Sequence, residues 1–188
     1  MTTYPPERHL LRDLCLSFDN PGGESRAWLP VVPEVCGDDG AVRAGALTTL
    51  VDVIGGGLAA STASPDWIAT ADLTLHMTAP VNAGTVEARA EVLRAGRSTV
   101  VLEVGLYADA GNSVGTATMS FSVLPRRDSN PDIGATRPAG PSTMAVDGSS
   151  LDAPLFDLVG IETVDAARGV VEVPVRTWAT NSMGALQG

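Results

Sequence analysis

The chain of 188 residues is 44% hydrophobic and carries a formal net charge of −10. All of its basic side chains other than histidine are arginines, because the sequence contains no lysine. Such an acidic chain lacks the basic surface that nucleic-acid binding needs, so nucleic acid is excluded as a predicted partner. No run approaches 18 apolar residues, and no basic segment precedes an apolar one at the N-terminus. No membrane span is therefore predicted, and hence no membrane partner. No secretory signal is predicted either.

The two cysteines, Cys15 and Cys36, are too few for a disulfide framework. They are predicted to be free thiols in a reducing, cytoplasmic compartment. Only His9 and His76 accompany them, and these four residues show no metal-ligand spacing. We therefore expect no metal and no separate cofactor.

The first 124 residues contain one long helix and several strands. Residues 8–35 are amphipathic and then strand-like, with prolines that indicate an edge or a bend. A long apolar helix follows at 44–61, and Pro65 is predicted to end it at or before Ser64. Three strand-like runs come next, and their turns are typical of hairpins. These runs cover 68–81, 84–108 and 113–124. The order predicts an α+β fold with one long helix followed by an antiparallel meander.

Residues 125–150 are rich in Pro, Gly, Ser, Thr and Asp and have no apolar period, which predicts a flexible linker. Residues 151–188 then resemble the start of the chain at a shift of 144 positions. The matching pairs are Leu155 with Leu11, Asp157 with Asp13, Leu158 with Leu14, Pro174 with Pro30, Val175 with Val31, Gly184 with Gly40 and Ala185 with Ala41. The pattern predicts one complete unit over 1–124 and, over 151–188, the opening strand and turn of a second repeat. That repeat stops before its helix, so we expect further residues or another chain to complete it.

The long helix has two distinct faces. Its apolar stripe consists of Leu47, Leu50, Val51, Ile54 and Leu58. Its second face is small and consists of Thr48, Asp52, Gly55, Gly56 and Ala59. Each interior glycine weakens a helix by roughly 1 kcal/mol relative to alanine, so close approach of a partner helix is predicted there. Asp52 lies where burial is expected, as either a hydrogen-bonded structural carboxylate or a catalytic one.

Three stretches together resemble the hotdog-fold acyl-CoA thioesterases. They are GAVRAGALTTLVDVIGG (40–56), TADLTLHMTAP (70–80) and VLRAGRSTVVLEV (92–104). The likeness is to the phenylacetyl-CoA thioesterase and thioesterase-superfamily branch, and it covers residues 8–124. It implies a hotdog fold, in which an antiparallel sheet wraps around one central helix. Gly40, Gly45 and Asp52 fit the family motif.

The resemblance implies that the two repeats contribute unequally. In the family, each site lies between two units. The first repeat has Gly37, Arg43 and Ala44 where Asn, His and Gly are usual, so its helix N-terminus at 43–45 is expected to form a degenerate site. The second repeat fits the motif better, with Asn181, Gly184 and Gly188, and with Gln187 in place of His. One composite site is therefore implied, in which Asp52 faces Asn181, Gln187 and the N–H of Gly188.

The resemblance also implies an activity, the hydrolysis of an acyl-CoA thioester. The N–H of Gly188 and the side chain of Asn181 would stabilise the oxyanion at a helix N-terminus. Asp52 would act as general base or as nucleophile. Thr70 falls where the family often has a Ser or Thr that assists the attacking water. Strict strand alternation points Thr70 away from the core, so it reaches the site only if it precedes the regular strand or a bulge intervenes.

A substrate contact is implied at the turn of Arg94, Gly96 and Arg97, which matches the family's CoA-contacting turn. An ordinary solvated hairpin is the alternative interpretation of this turn. Coenzyme A would enter only as part of the substrate. Pairing is expected as well, in a homo-oligomer or with a second hotdog unit, since an unpaired hotdog would expose an apolar helix face and a sheet edge.

Other functional classes fit less well. A non-catalytic hotdog module that binds acyl-CoA or serves in assembly is favoured by Arg43, Ala44 and Gln187, whereas the retained Asp52 favours an enzyme. A dehydratase or hydratase would need a histidine on the central helix, which has none. The G-x-S-x-G pattern at 111–115 precedes a predicted strand, whereas a serine-hydrolase elbow precedes a helix.

Overall fold

A computed structural model describes residues 4–20, 24–127, 140–182 and 184–186. Its helices are α1 (Leu10–Asp13), α2 (Ala44–Ala63) and α3 (Leu155–Val159). Its strands are β1 (Ser17–Asp19), β2 (Ser25–Pro30), β3 (Trp67–Met77), β4 (Thr85–Ala95), β5 (Thr99–Tyr107), β6 (Ser113–Leu124), β7 (Ser142–Thr143), β8 (Glu162–Asp165) and β9 (Val170–Glu172).

Seven strands form one antiparallel sheet in the order β3-β6-β5-β4-β2-β1-β7. The predicted fold class is confirmed, since α2 packs across this sheet and contacts β2 through β6. The predicted meander is correct for β4, β5 and β6 but wrong for β3, which pairs with β6 at the sheet edge. Because α2 crosses the sheet, the strand that follows it in the chain, β3, joins the sheet at the edge beyond β6, four strands from β2.

Helix α2 is held by its apolar stripe. Leu47, Leu50, Val51 and Ile54 are at most 2% exposed and lie in the core with the inward side chains of the sheet. The helix ends at Ala63, as predicted, because the residue before a proline avoids the helical region. Among the described residues, α2 alone is long and apolar enough to cross a membrane, and half of its apolar window is buried inside the protein.

The glycines of α2 face the protein's own sheet. A Cβ placed on Gly55 would lie 2.6 Å from Sδ of Met119, and one on Gly56 would lie 3.9 Å from Cε1 of Phe121. The prediction of a partner helix at this face is wrong for Gly55, because the bulky side chain of Met119 on β6 takes up the space. The glycine instead lets α2 approach its sheet closely.

Residues 125–150 were predicted to be a linker, but the C-terminal end of this segment packs on the sheet. Within it, β7 pairs with β1, and the hydroxyl of Thr143 donates to the carbonyl of Leu16 at 2.9 Å. The prediction of a flexible linker is therefore wrong for this part, because the unpaired edge of β1 offers backbone partners that composition does not reveal. Residues 128–139 of the predicted linker lie outside the described part of the chain.

The described residues of 151–186 have the same order of backbone elements as the chain's beginning. In each part a short helix and an antiparallel strand pair precede a 3₁₀ turn, and these turns are Pro33–Val35 and Thr177–Ala179. An isolated bridge follows each turn, Cys36 with Val42 and Thr180 with Leu186. The bridges and the 3₁₀ turns are each separated by 144 positions. The structure therefore has a helix and two strands in this region, where the sequence predicted one strand and a turn.

The N-terminal and C-terminal regions pack on one another reciprocally. Helix α1 packs against the second 3₁₀ turn, and α3 packs against the first. The indole N–H of Trp178 donates to Oδ2 of Asp13 at 2.7 Å. Leu151, Leu155 and Ala179 are at most 9% exposed and lie in the same core as α2. The C-terminal segment is thus part of one packed body with the first unit.

Candidate active site

A carboxylate and a hydroxyl meet between α2 and β3. Asp52, in the third turn of α2, is 6% exposed, and its Oδ1 accepts a hydrogen bond of 3.0 Å from Oγ1 of Thr70. Thr70 itself is exposed, so the pair lies at the boundary between core and solvent. A buried carboxylate needs hydrogen-bond donors, and here one donor comes from a side chain that water can reach.

A bulge in β3 places Thr70 on the helix side. Thr70 pairs with Phe121 and Asp72 pairs with Ser120, so Ala71 is an extra residue between consecutive partners on β6. One extra residue reverses the alternation, which otherwise points Thr70 away from α2. Of the two routes by which the sequence allowed Thr70 to reach Asp52, the structure has the bulge.

Tyr4 is a further neighbour of Asp52. Burial and, secondly, the negative charge of Asp52 raise the pKa of Tyr4 to about 12. The hydroxyl of Tyr4 also donates to the carbonyl of Thr180 at 3.3 Å. The sequence analysis did not identify Tyr4, since it stands in MTTYPPERHL, which has no motif and no periodic pattern.

The turn that contains Asn181 is internally closed. The backbone N–H of Asn181 donates to the carbonyl of Ala185 at 2.6 Å, and Oδ1 of Asn181 accepts from the N–H of Ala185 at 3.1 Å. The amide oxygen of Asn181 thus acts as an acceptor within the turn. The two other predicted residues of this side, Gln187 and Gly188, lie outside the described residues.

A cavity of about 980 Å³ opens at the N-terminus of α2. Arg43, Ala44 and Gly45 line it, together with apolar side chains of the second copy such as Phe156 and Val173. The helix N-terminus predicted to form a degenerate site thus lies at this cavity, whose lining residues do not include Asp52 or Thr70. The guanidinium of Arg43 stacks 5.6 Å from the ring centre of Phe156 and donates to the carbonyl of Cys36.

The turn of Arg94, Gly96 and Arg97 is exposed at the β4–β5 hairpin, where the N–H of Gly96 donates to the carbonyl of Thr99 at 2.8 Å. Phe121 pairs with both Thr70 and Val100, so this hairpin lies at the same end of the sheet as Thr70. With strands about 4.8 Å apart, Thr70 and Val100 are about 10 Å from each other.

Comparison with known proteins supports the resemblance. The family model of the thioesterase superfamily matches residues 39–115, a span that contains Asp52, Thr70 and the arginine turn. No curated protein matches the chain.

Solved structures share the fold. A Bacillus halodurans protein determined with CoA is 28% identical, with a TM-score of 0.55, and the match covers 59% of this chain and 74% of that one. A Haemophilus influenzae thioesterase is 19% identical, with a TM-score of 0.52 and coverages of 57% and 76%. The E. coli PaaI protein, from the phenylacetic acid degradation operon, is 18% identical, with a TM-score of 0.50 and coverages of 54% and 73%. The hotdog fold expected from the sequence is thus confirmed, and the match to the thioesterase superfamily extends over residues 39–115.

Proposed function

We propose that the protein hydrolyses the thioester bond of an acyl-CoA at the Asp52–Thr70 pair. The observation that carries the proposal is a carboxylate 6% exposed, on the central helix, that accepts a hydrogen bond from a solvent-accessible hydroxyl. The match to the thioesterase superfamily over residues 39–115 supports the reaction class.

In the proposed reaction, water adds to the thioester carbonyl, and the products are a carboxylic acid and coenzyme A thiol. Asp52 accepts the proton of the attacking water, or its carboxylate attacks the carbonyl and water then hydrolyses the anhydride. Thr70 donates to one carboxylate oxygen, and its own oxygen can accept a hydrogen bond from the water. Asn181 would donate to the developing oxyanion.

The arginine turn would bind the phosphates of coenzyme A. Arg94 and Arg97 are exposed and lie at the same end of the sheet as Thr70. In a chain with a net charge of −10, a phosphate group needs locally placed arginines. The B. halodurans relative determined with CoA supports a ligand of this type.

Release of free thiol from short, aromatic and long acyl-CoAs tests the proposal. We expect Asp52→Asn to lower kcat/KM by at least about 100-fold, the range of general-base catalysis. The matched control is Asp72→Asn, an exposed carboxylate on β3, which should leave the rate unchanged. The protein's own thiols should contribute little to this assay, because burial and nearby carboxylates raise the pKa of Cys15 and of Cys36.

A wild-type chain that cleaves none of these thioesters would contradict the enzyme proposal, and so would an Asp52→Asn variant of full activity. Binding of acyl-CoA without cleavage would instead identify a non-catalytic hotdog module. Equilibrium dialysis with a non-hydrolysable acyl-CoA thioether measures that binding directly.

A further inference from the structure

The carbonyl of Thr180 accepts two hydrogen bonds from the N-terminal segment. The hydroxyl of Tyr4 donates to it at 3.3 Å and Nε2 of His9 lies 2.8 Å from it. The N–H of Leu11 donates to Nδ1 of His9 at 3.2 Å, which makes Nδ1 an acceptor and Nε2–H the donor. The tautomer of His9 is therefore fixed by its two neighbours.

The donors are themselves held in place. His9 is fully buried, and the ring of Tyr4 meets it edge-on with ring centres 5.2 Å apart. The guanidinium of Arg12 donates to the carbonyls of Pro5, at 2.6 Å, and Pro6, at 2.7 Å, and also to the carbonyl of Met144 at 2.8 Å. These contacts tie the N-terminal segment to the first unit.

Thr180 directly precedes Asn181, whose turn is closed by bonds with Ala185. Fixing the Thr180 carbonyl therefore fixes the first residue of that turn. Tyr4 is also close enough to Asp52 for the charge of the carboxylate to act on its hydroxyl. The hydroxyl of Tyr4 thus bonds directly to the residue that precedes Asn181 and is also subject to the charge of Asp52.

We propose that Tyr4 and His9 are positioning residues that hold the Thr180–Asn181 turn in place by clamping the Thr180 carbonyl. The inference rests on the proposed thioesterase function for its kinetic consequence. Its structural consequence, an ordered backbone at residues 180–182 and 184–186, is independent of any substrate.

The kinetic test removes one hydroxyl. Tyr4→Phe keeps the ring against His9 and should lower kcat about two- to tenfold, with KM within twofold, as expected for one hydrogen bond. The control is Tyr107→Phe, the only other tyrosine, whose ring lies over the guanidinium of Arg89. That control should match wild type.

A double-mutant cycle separates positioning from general loss of stability. If Tyr4 acts through Asn181, Tyr4→Phe should have no further effect on kcat in an Asn181→Ala background. Multiplicative effects of the two substitutions would overturn the inference. A Tyr4→Phe variant with wild-type kcat would also overturn it, while loss of activity in Asp52→Asn would leave the proposed function standing.

Hydrogen–deuterium exchange keeps the inference testable if no thioester is cleaved. Amides of residues 180–186 should exchange about two- to tenfold faster in Tyr4→Phe than in wild type or Tyr107→Phe. His9→Ala should accelerate the same amides. Unchanged exchange in both variants would show that the clamp does not order the turn.

Discussion

At the scale of single residues, the two copies of the glycine turn close in different ways. In the second copy, Oδ1 of Asn181 accepts from the N–H of Ala185, whereas in the first copy Oδ1 of Asp39 accepts from the N–H of Ala41. Ala41 and Ala185 are equivalent at the shift of 144. Gly37, equivalent to Asn181, brings no side chain, so the first turn uses a neighbouring carboxylate. The first turn therefore lacks the amide group that the proposed oxyanion contact uses.

Thr70→Val removes the hydroxyl that donates to Asp52 but keeps a β-branched side chain suited to a strand. We expect kcat/KM to fall about tenfold or more, since hydrogen bonds to charged groups contribute about 1.5–3 kcal/mol. Thr70→Ser retains the hydroxyl and should stay within about threefold of wild type. Steady-state kinetics with one thioester compares the two, and equal rates for Val and Ser would contradict the assigned hydrogen bond.

The pKa of Tyr4 predicts how stability depends on alkaline pH. It is about 12 in the folded protein, above the ordinary value of 10.0. The protonated phenol therefore stabilises the fold fully below about pH 10, and this contribution is lost as the pH rises through about 12. The free energy of unfolding, measured with urea at several pH values above 9, should fall less steeply in Tyr4→Phe than in wild type. Equal slopes would mean that the phenol is not shielded.

The sequence predicts this site unevenly. Asp52 is visible as one carboxylate on an apolar helix, and the position of Thr70 follows once a bulge is known. Tyr4 could not be identified from the sequence, because its role depends on a segment that is held by hydrogen bonds from the Arg12 guanidinium to the carbonyls of Pro5 and Pro6. Any residue can supply a backbone carbonyl as an acceptor, so the sequence does not show which carbonyls a side chain will bind.

At the scale of elements, the strands and the end of α2 follow from alternation and from Pro65, while the pairing partners do not. Alternation tells which residues form a strand, but neither that β3 pairs with β6 nor that Ser142–Thr143 covers the edge of β1. The path of α2 decides where β3 joins the sheet, and the unpaired sheet edge at β1 decides where Ser142–Thr143 pairs. Both are properties of the assembled sheet.

The two neighbouring glycines of α2 should respond oppositely to alanine. Gly56→Ala meets Phe121 at an ordinary contact distance of 3.9 Å and should gain about 0.5–1 kcal/mol from helix propensity. Gly55→Ala places a methyl group 2.6 Å from Sδ of the fully buried Met119. In Gly55→Ala, overpacking should cost about 1–3 kcal/mol of stability, which offsets the gain in helix propensity. Thermal melts rank the variants, and a Gly55→Ala protein more stable than Gly56→Ala would contradict the close packing.

At the scale of the whole molecule, the C-terminal segment is held by reciprocal but unequal contacts. Trp178 donates to Asp13, whereas the position 144 residues before Trp178 is Glu34 and the position 144 after Asp13 is Asp157. The arrangement of elements is approximately two-fold, while the side chains that stabilise it differ between the two ends.

This asymmetry predicts different effects of two equivalent substitutions. Asp13→Ala leaves the indole N–H of Trp178 without its charged acceptor and should cost about 1.5–3 kcal/mol. Asp157→Ala, at the exposed equivalent position, should cost less than about 1 kcal/mol. Denaturant unfolding followed by tryptophan fluorescence measures both. Equal losses would argue against an anchoring role for the Trp178 contact.

The bulge of β3 has a counterpart that gives the sheet its curvature. Leu93 is an extra residue between Val92 and Arg94 on β4, as Ala71 is on β3. Ser120 pairs with both Asp72 and Val101, and Val101 pairs with Arg94, so the two irregularities lie on one line across four strands. Bulges bend a strand and increase its local twist. The two bulges therefore bend β3 and β4 along one line, and this line separates the end of the sheet that carries Thr70 and the arginine turn from the rest of the sheet.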